Sequence, residues 1–144
     1  MQNIMEVVGT MFFKDGKLLI DKPRSKKTFQ MIGGKVEKGE TIKEAAIREC
    51  HEELGKKAFF DEEKIKFIMD FEEIATSDPN RKIHMNIFQY DGELKGELTI
   101  SDEIEKFMWF GANDDKNLLS NTLKNEIIPY CLKNGLIKSV EQER

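Results

Sequence analysis

The spacing of apolar and polar residues predicts a sheet that is interrupted by one amphipathic helix and followed by a second helix. Strands are predicted over Glu6–Phe13, Leu18–Ile20, Thr28–Ile32, Ile65–Ala75, Ile83–Tyr90 and Lys106–Phe110. Helices are predicted over Ile42–Leu54 and Thr122–Lys133, with Pro129 disturbing the second. Turns are predicted at Asp15-Gly16 and at Ser77-Asp78-Pro79-Asn80. This order favours a single α/β domain over residues 1–144, with a mixed sheet and helices packed on its faces.

The first predicted helix carries acidic residues on the face that should be buried. Thr41 and Glu44 form a capping-box pattern at its start, and Gly55 is well placed to end it. At about 100° per residue, Glu49 and Glu53 fall on the apolar face of this helix. Glu52 lies just beyond that face. The usual explanation of a Glu-rich helix, a solvated surface with ion pairs one turn apart, therefore fits this helix poorly.

Carboxylates gathered near the C-terminal end of a helix predict a metal site. Glu49, Glu52 and Glu53 repel one another there and also oppose the helix dipole. Divalent cations would neutralise them. Ligands that are all oxygen suit Mg²⁺ or Mn²⁺ rather than Zn²⁺, which prefers His and Cys.

Composition narrows the classes of partner. The chain has 23 basic and 27 acidic side chains, a net charge of -4, which argues against non-specific binding to nucleic acid polymers. There is no apolar run long enough to span a membrane and no signal-peptide pattern at the start. Cys50 and Cys131 suit a reducing cytoplasm as small buried hydrophobes. Nothing in the sequence fixes the oligomeric state.

Between Gly34 and Gly55 the sequence reads GKVEKGETIKEAAIRECHEELG. The positions that form a fixed pattern are Gly34, Glu40, Arg48, Glu49, Glu52, Glu53 and Gly55. Seven such residues coincide by chance roughly once in 10^8 start positions. The segment resembles a complete Nudix box, the signature of hydrolases that cut a diphosphate linked to another group. The resemblance implies an α/β/α sandwich. Lys56 departs from the family, in which the residue after Gly55 is usually apolar, but it lies away from the carboxylates.

The resemblance also implies roles for individual residues. The positions that bind divalent metals are matched by Glu49, Glu52, Glu53 and the carbonyl of Gly33. Arg48 and Glu40 match a pair that braces the loop against the helix and orients the ligands. Lys35 is a candidate phosphate contact, and its alternative is an exposed loop lysine.

An acidic residue outside the box completes the site in mutator-type relatives. Ser101-Asp102-Glu103, before the strand that contains Trp109, resembles that segment, and Glu103 matches the acidic position. It would serve as the general base, and the alternative is an ordinary acidic turn.

The residues before the glycines bear on the substrate. Ile32 replaces the proline that is common in the family, and Gln30 stands where oxidised-purine nucleoside triphosphatases have an amide that reads the base edge. The Trp-Pro-Asp-Asp segment of vertebrate members has no counterpart near Asn117–Asn121. The expected substrate is a nucleoside triphosphate, normal or oxidised. ADP-ribose, a nucleotide sugar or a dinucleoside polyphosphate is the alternative, and a third is a non-catalytic nucleotide-sensing module.

Overall fold

The computed structural model describes residues 3–74 and 79–139, through which a mixed β-sheet runs. Within these residues, the sheet contains seven strands: β1 (Asn3–Met11), β2 (Phe13–Lys14), β3 (Lys17–Pro23), β4 (Gln30–Lys35), β6 (Ile65–Ile74), β7 (Arg81–Tyr90) and β9 (Ile104–Phe110). A separate short pair is formed by β5 (Ala58–Phe59) and β8 (Lys95–Gly96). The α-helices are α1 (Ile42–Leu54) and α2 (Ile128–Lys133). Shorter helical turns span Glu62–Lys64, Lys116–Leu118 and Leu123–Ile127.

The strand order is β2-β3-β4-β1-β7-β6, with β9 paired to β3. The strands β1 and β7 run parallel, while the other pairs are antiparallel. A parallel pair requires a long crossover, and the chain between β1 and β7 includes α1. Strand β4 changes partner along its length, since Gln30 and Met31 pair with β3 while Ile32–Lys35 pair with β1. At this junction, β4 and β1 both pack against α1.

Each face of the sheet packs against its own helix. The cluster on the α1 face contains Val8, Phe12, Leu19, Ile32, Ala45, Ala46, Cys50, Leu54, Ala58, Ile65, Phe88 and Tyr90. The cluster on the α2 face contains Met11, Leu18, Ile20, Phe29, Met31, Met85, Ile87, Phe110, Leu119, Leu123, Ile127, Ile128, Cys131 and Ile137. Burial of apolar surface on both faces is the main stabilising contribution in such a fold. The predicted α/β/α sandwich with a mixed sheet is confirmed, and both cysteines are free and buried.

Helix α1 begins and ends where the sequence predicts. The Thr41 hydroxyl accepts from the amide of Glu44 at 3.1 Å, and the Glu44 carboxylate accepts from the amide of Thr41 at 2.9 Å. An N-cap of this kind is typically worth about 1 kcal/mol. Gly55 ends the helix with φ 89° and ψ 170°, a conformation that is open almost only to glycine. Among the described residues, no helix is long and apolar enough to cross a bilayer.

The predicted end of β3 is wrong by three residues. The strand continues past Ile20 to Pro23 because its outer edge pairs with β9, where Asp21 lies opposite Phe107. Ala75 and the predicted turn residues Ser77 and Asp78 lie outside the described residues.

The second predicted helix is irregular, as Pro129 indicated. The amide of Ile128 donates to the carbonyl of Leu123, five residues earlier, which makes a π-helical turn. Pro129 then lies in the first turn of α2, where no intrahelical amide donor is required. The regular part of this helix is therefore shorter than predicted.

Gly33 and Gly34 belong to β4, whereas the sequence predicted a strand that ends at Ile32. A Cβ on Gly33 would lie 1.9 Å from the carbonyl oxygen of Val8, so only glycine allows β1 and β4 to approach this closely. A Cβ on Gly34 would lie 2.6 Å from the carboxyl carbon of Glu49. The two glycines thus make room for a neighbouring backbone and for an acidic side chain.

Candidate metal and catalytic site

An open cavity of about 500 Å³ joins the acidic end of α1 to two loops. The residues that line it are Pro23, Arg24, Ser25, Lys26, Gly33, Glu49, Glu52, Glu53, Ser101, Asp102, Glu103 and Ile104. The helix contributes the three predicted ligands, and β4 contributes Gly33. The loop after β3 contributes cationic side chains, and the segment before β9 contributes the predicted acidic position. The structure therefore gathers most of the predicted site residues around one cavity.

Arg48 holds the loop before α1 against the helix. Its Nε donates to Glu40 Oε2 at 2.7 Å and its Nη2 donates to Glu40 Oε1 at 3.0 Å. Nη2 also donates to the carbonyl of Lys35 at 3.0 Å. Bidentate pairs of this kind fix orientation as well as charge. The hydrogen bonds from Arg48 hold the pKa of Glu40 below its usual range, and those with Glu40 raise the pKa of Arg48.

The same guanidinium contacts two of the predicted metal ligands. Nη1 of Arg48 donates to Glu49 Oε1 at 2.8 Å and to Glu52 Oε2 at 3.2 Å. The Glu49 side chain is 15% exposed, whereas that of Glu52 is 59% exposed. Burial raises the pKa of Glu49, and the hydrogen bond from Arg48 opposes this shift. Arg48 therefore orients both carboxylates at the entrance to the cavity.

Glu53 lies deeper than the other two and meets a fourth carboxyl group. Its Oε2 is buried without a hydrogen-bond partner among the described residues, and so are both carboxylate oxygens of Asp21. Burial raises the pKa of Glu53 well above its usual range, and the neighbouring Asp21 raises it further. Burial likewise raises the pKa of Asp21, to about 6. Buried acids without donors destabilise a fold unless a proton or a cation neutralises them.

These residues fit a divalent cation by charge and by donor type. The donors are oxygens only, which Mg²⁺ and Mn²⁺ prefer. Three buried oxygens, two on Asp21 and one on Glu53, accept no hydrogen bond from the described residues. No group of three or more His, Cys, Asp or Glu side chains in the described ranges already surrounds a single point. A cation would therefore have to draw the carboxylates together.

A smaller cavity of about 250 Å³ adjoins the first and shares Pro23, Gly33 and Glu53 with it. Gln30 lines this cavity and also a wider one of about 720 Å³. The Gln30 amide donates to the hydroxyl of Thr28 at 3.0 Å. The three cavities thus form a groove that extends from the carboxylates past Gln30.

The far part of the groove is lined by polar side chains near the start of the C-terminal helical segment. The polar residues that line the wider cavity are Lys26, Thr28, Gln30, Glu73, Ser120, Asn121, Thr122 and Asn125. Hydrogen bonds between Phe29 and the 118–120 segment, at 2.8 and 2.9 Å, hold this segment beside β4. The hydroxyl of Thr122 donates to Glu73 at 2.7 Å. Amides and hydroxyls in such a groove can bind a polar heterocycle by hydrogen bonds.

The structure places Glu103 at the first cavity, and Lys35 elsewhere. Glu103 lies just before β9, and its carbonyl accepts from the amide of Arg24 at 2.9 Å, which ties the two loops together. Lys35 ends β4 with an exposed side chain, and the described residues that line the three cavities do not include it. Both assigned roles stay predictions.

Sequence reasoning overlooked three residues that the structure places at the site. Asp21 lines the second cavity at 0% exposure, and Arg24 and Lys26 line the first. An acid at the end of the apolar run Leu18-Leu19-Ile20 was a signal for Asp21, because an acidic side chain is rarely fully buried unless it is paired. Arg24 and Lys26 lie in the basic segment that follows β3, for which the sequence alone predicts no functional role.

Comparison with protein families gives one match over most of the chain. The family model described as the NUDIX domain matches residues 5–131. This range contains all the residues that surround the first cavity.

Two curated proteins are similar to this chain. An ADP-ribose pyrophosphatase of Methanocaldococcus jannaschii is 32% identical over 104 residues, which is 70% of this chain and 58% of that protein. An RNA pyrophosphohydrolase of Nitratiruptor sp. is 36% identical over 66 residues, which is 46% of this chain and 39% of that protein. The chain thus spans little more than half the length of the first relative and less than half the length of the second.

Solved structures share the fold at low sequence identity. A MutT NUDIX hydrolase from Burkholderia pseudomallei superposes with a TM-score of 0.70 at 20% identity, covering 99% of this chain and 100% of that one. The E. coli ORF135 protein superposes with a TM-score of 0.68 at 21% identity, covering 90% and 89%. At these identities, the similarity concerns the fold alone.

Proposed function

This chain belongs to the NUDIX domain family, and we propose that it hydrolyses a phosphoanhydride in a nucleoside diphosphate-linked substrate. The substrate would lie along the groove that the three cavities form. The proposed substrate is a nucleoside triphosphate with a normal or oxidised purine. The observation that carries the proposal is the convergence of Glu49, Glu52 and Glu53 with Arg24 and Lys26 on one cavity.

Glu49, Glu52 and Glu53 would hold the divalent cation, Mg²⁺ or Mn²⁺, with the carbonyl of Gly33. The cation would neutralise charge on the anhydride oxygens and so make phosphorus easier to attack. Arg48 keeps Glu49 and Glu52 aimed at the cavity by the hydrogen bonds of its Nη1. This support limits the loss of side-chain entropy when the ligands assemble.

Water is the proposed nucleophile. Its oxygen forms a bond to phosphorus, the anhydride P–O bond breaks, and the leaving phosphate takes the bonding electron pair. Glu103 accepts the proton from the water, a role that its position at the first cavity supports. Arg24 and Lys26 line the same cavity and can bind the remaining phosphate oxygens as cations.

The polar lining of the groove beyond Gln30 is an argument that the part of the substrate attached to the phosphates is a nucleoside. Its amides and hydroxyls offer hydrogen bonds to a base edge, and Gln30 lies between the carboxylates and this polar region. The net charge of -4 favours a small substrate over a nucleic acid polymer. A cytoplasmic location would match this substrate and the free, buried cysteines.

The first candidate has a rival that one comparison favours. The similar protein of M. jannaschii is an ADP-ribose pyrophosphatase by name, so ADP-ribose is the second candidate substrate. ADP-ribose contains a diphosphate linkage, as a nucleoside triphosphate does, and the carboxylate cavity would hold that linkage in either substrate. A nucleotide sugar or a dinucleoside polyphosphate belongs to this same alternative.

A substrate panel with Mg²⁺ tests the proposal. It contains normal and 8-oxo purine triphosphates, ADP-ribose, nucleotide sugars, dinucleoside polyphosphates and a short 5′-triphosphorylated RNA. Released phosphate and pyrophosphate are measured, and candidates are ranked by kcat/KM. We expect purine triphosphates to lead, and Glu53→Gln to lower kcat by about 100-fold or more while the fold persists. Full activity in excess chelator, or unchanged turnover in Glu53→Gln, would contradict the proposal. Tight nucleotide binding without any hydrolysis would favour a sensing module.

A further inference from the structure

Asp21 is a buried acid that no part of the proposed reaction uses. It lies on β3, is 0% exposed, and neither of its oxygens accepts a hydrogen bond from a donor among the described residues. An ordinary structural carboxylate at this depth would have an amide, a hydroxyl or a cationic side chain beside it. Leaving such a group unpaired typically costs about 1–3 kcal/mol or more. Because the unpaired carboxylate of Asp21 costs stability, a functional role would explain its presence.

Its neighbour is an equally unsatisfied acid on a different element. Oε2 of Glu53, on α1, is also buried without a hydrogen-bond partner among the described residues. Both line the cavity of about 250 Å³, which shares Glu53 and Gly33 with the larger carboxylate cavity. Asp21 therefore reaches the acidic site from the sheet, while the three Nudix-box glutamates reach it from the helix.

Among the described residues, no cationic side chain is a hydrogen-bond partner of the unpaired oxygens of Asp21 and Glu53. Arg48 is the cationic side chain that bonds the acids of α1, and its hydrogen bonds within the described chain go to Glu40, Glu49, Glu52 and the Lys35 carbonyl. Neither Asp21 nor Glu53 is among these partners. The deep pair thus remains open to a cation from solution.

We propose that Asp21 is a fourth acidic residue of the metal centre, which pairs with Glu53 and increases the affinity of the site for a divalent cation. This inference rests on the proposed function, because it takes Glu53 as a metal ligand. Without a cation, the facing carboxyl groups destabilise the fold. With a cation bound, their charge is offset, so Asp21 links metal binding to stability.

The test measures Mn²⁺ binding and thermal stability in the absence of substrate. Asp21→Asn keeps the shape of the side chain and removes its charge, and Asp91→Asn, an exposed acid beyond β7, is the matched control. We expect Asp21→Asn to raise the Kd for Mn²⁺ about 10-fold, as for other groups that support metal ligands. The metal-free protein should gain about 3 °C in Tm, and the further rise in Tm on adding Mn²⁺ should shrink.

A double variant separates this role from simple packing. If Asp21 and Glu53 destabilise each other, Asp21→Asn with Glu53→Gln should raise the metal-free Tm by less than the two single changes added together. An unchanged Kd for Mn²⁺ in Asp21→Asn would overturn the proposal, whatever happens to Tm. The proposal would also be overturned if metal-free Asp21→Asn were less stable than the wild type. Failure of both Asp21→Asn and Asp21→Ala to fold would overturn it as well.

The outcomes also separate this inference from the proposed function. Metal-dependent turnover by the wild type with an unchanged Mn²⁺ Kd in Asp21→Asn refutes the role of Asp21 alone. Weakened Mn²⁺ binding in Asp21→Asn, with no hydrolysis of any panel substrate by the wild type, refutes the hydrolase and supports Asp21 as a metal-centre residue.

Discussion

Arg48 and Glu40 form a two-bonded ion pair, with Nε to Oε2 at 2.7 Å and Nη2 to Oε1 at 3.0 Å. The pair joins α1 to the loop that precedes it. The remaining nitrogen, Nη1, contacts Glu49 at 2.8 Å and Glu52 at 3.2 Å. One planar guanidinium therefore sets both the loop and two carboxylates of the candidate metal site. A lysine, with a single ammonium group, cannot make these contacts together.

Arg48→Lys should consequently lower kcat by about 10–100-fold, the usual range for a residue that orients metal ligands. Lysine retains the positive charge, so the loss of kcat would come from the loss of the guanidinium's several hydrogen bonds. Steady-state kinetics at saturating Mg²⁺ measures it, and Arg81→Lys, at the exposed start of β7, is the control. Equal kcat in Arg48→Lys and the wild type would show that the fork is dispensable.

Gly34 makes room for the Glu49 carboxylate, because a Cβ there would lie 2.6 Å from its carboxyl carbon. Gly34→Ala should therefore displace Glu49 and lower kcat by about 10-fold or more, since small shifts in catalytic groups are costly. Gly111→Ala is the control, because its Cβ would meet only side-chain atoms at 3.2 Å or beyond. Gly111→Ala should keep the wild-type kcat, and a wild-type kcat in Gly34→Ala would contradict the prediction.

Local sequence patterns predicted the elements that local chemistry determines. The bounds of α1 follow from the capping box at Thr41 and the glycine at Gly55, and the structure confirms both. The end of β3 was wrong because it depends on pairing with β9, more than eighty residues away in the chain. Asp21 was overlooked for the same reason, since its partner Glu53 lies on another element. Spacing along the chain reveals residues on one helix face, but not contacts between a strand and a helix.

Glu103 is the proposed general base, and its neighbour Asp102 provides a control within the same cavity. Glu103→Gln should lower kcat by about 100-fold or more, as expected for the loss of a general base. Asp102→Asn should have a much smaller effect. The comparison is made at saturating substrate across pH, where loss of the base should flatten the acidic limb of the kcat profile. If Asp102→Asn shows the larger loss, the roles of the two acids are exchanged.

His84 bridges two carboxylates on the sheet. Its Nδ1 lies 2.7 Å from Glu6 and its Nε2 lies 2.6 Å from Asp70. The hydrogen bond to Asp70 raises the pKa of His84 above its usual 6.5, and Glu6 adds to the shift. A raised folded-state pKa contributes stability that is fully present below pH 6.5 and is lost as the pH rises through the folded-state value.

His84→Gln should therefore destabilise the protein more at pH 5.5 than at pH 8.5. Because the carboxylates are partly exposed, the difference should be about 1 kcal/mol. Urea unfolding at the two pH values measures it, with His51→Gln as the control for removal of a histidine. An equal effect of His84→Gln at both pH values would contradict the charged bridge.

Gln30 lines both the cavity of about 250 Å³ beside Glu53 and the wider polar cavity of about 720 Å³. Its amide is the candidate group for recognising a purine edge. A good bidentate contact with a base discriminates by about 1–3 kcal/mol. Gln30→Ala should therefore flatten the selectivity among purine triphosphates, measured as kcat/KM ratios, by up to about 10–100-fold. Its metal dependence should not change, because the Nudix-box carboxylates are untouched.

Gln89→Ala, on β7 and outside the three cavities, is the matched control for loss of a glutamine side chain. Selectivity that survives in Gln30→Ala would assign base reading to other residues of the groove, such as Asn121 and Asn125. ADP-ribose or a nucleotide sugar at the head of the panel would refute the triphosphate preference. The hydrolase proposal would survive that result, because it depends on the carboxylates of α1, whereas the preference depends on the loop and strand that hold Gln30.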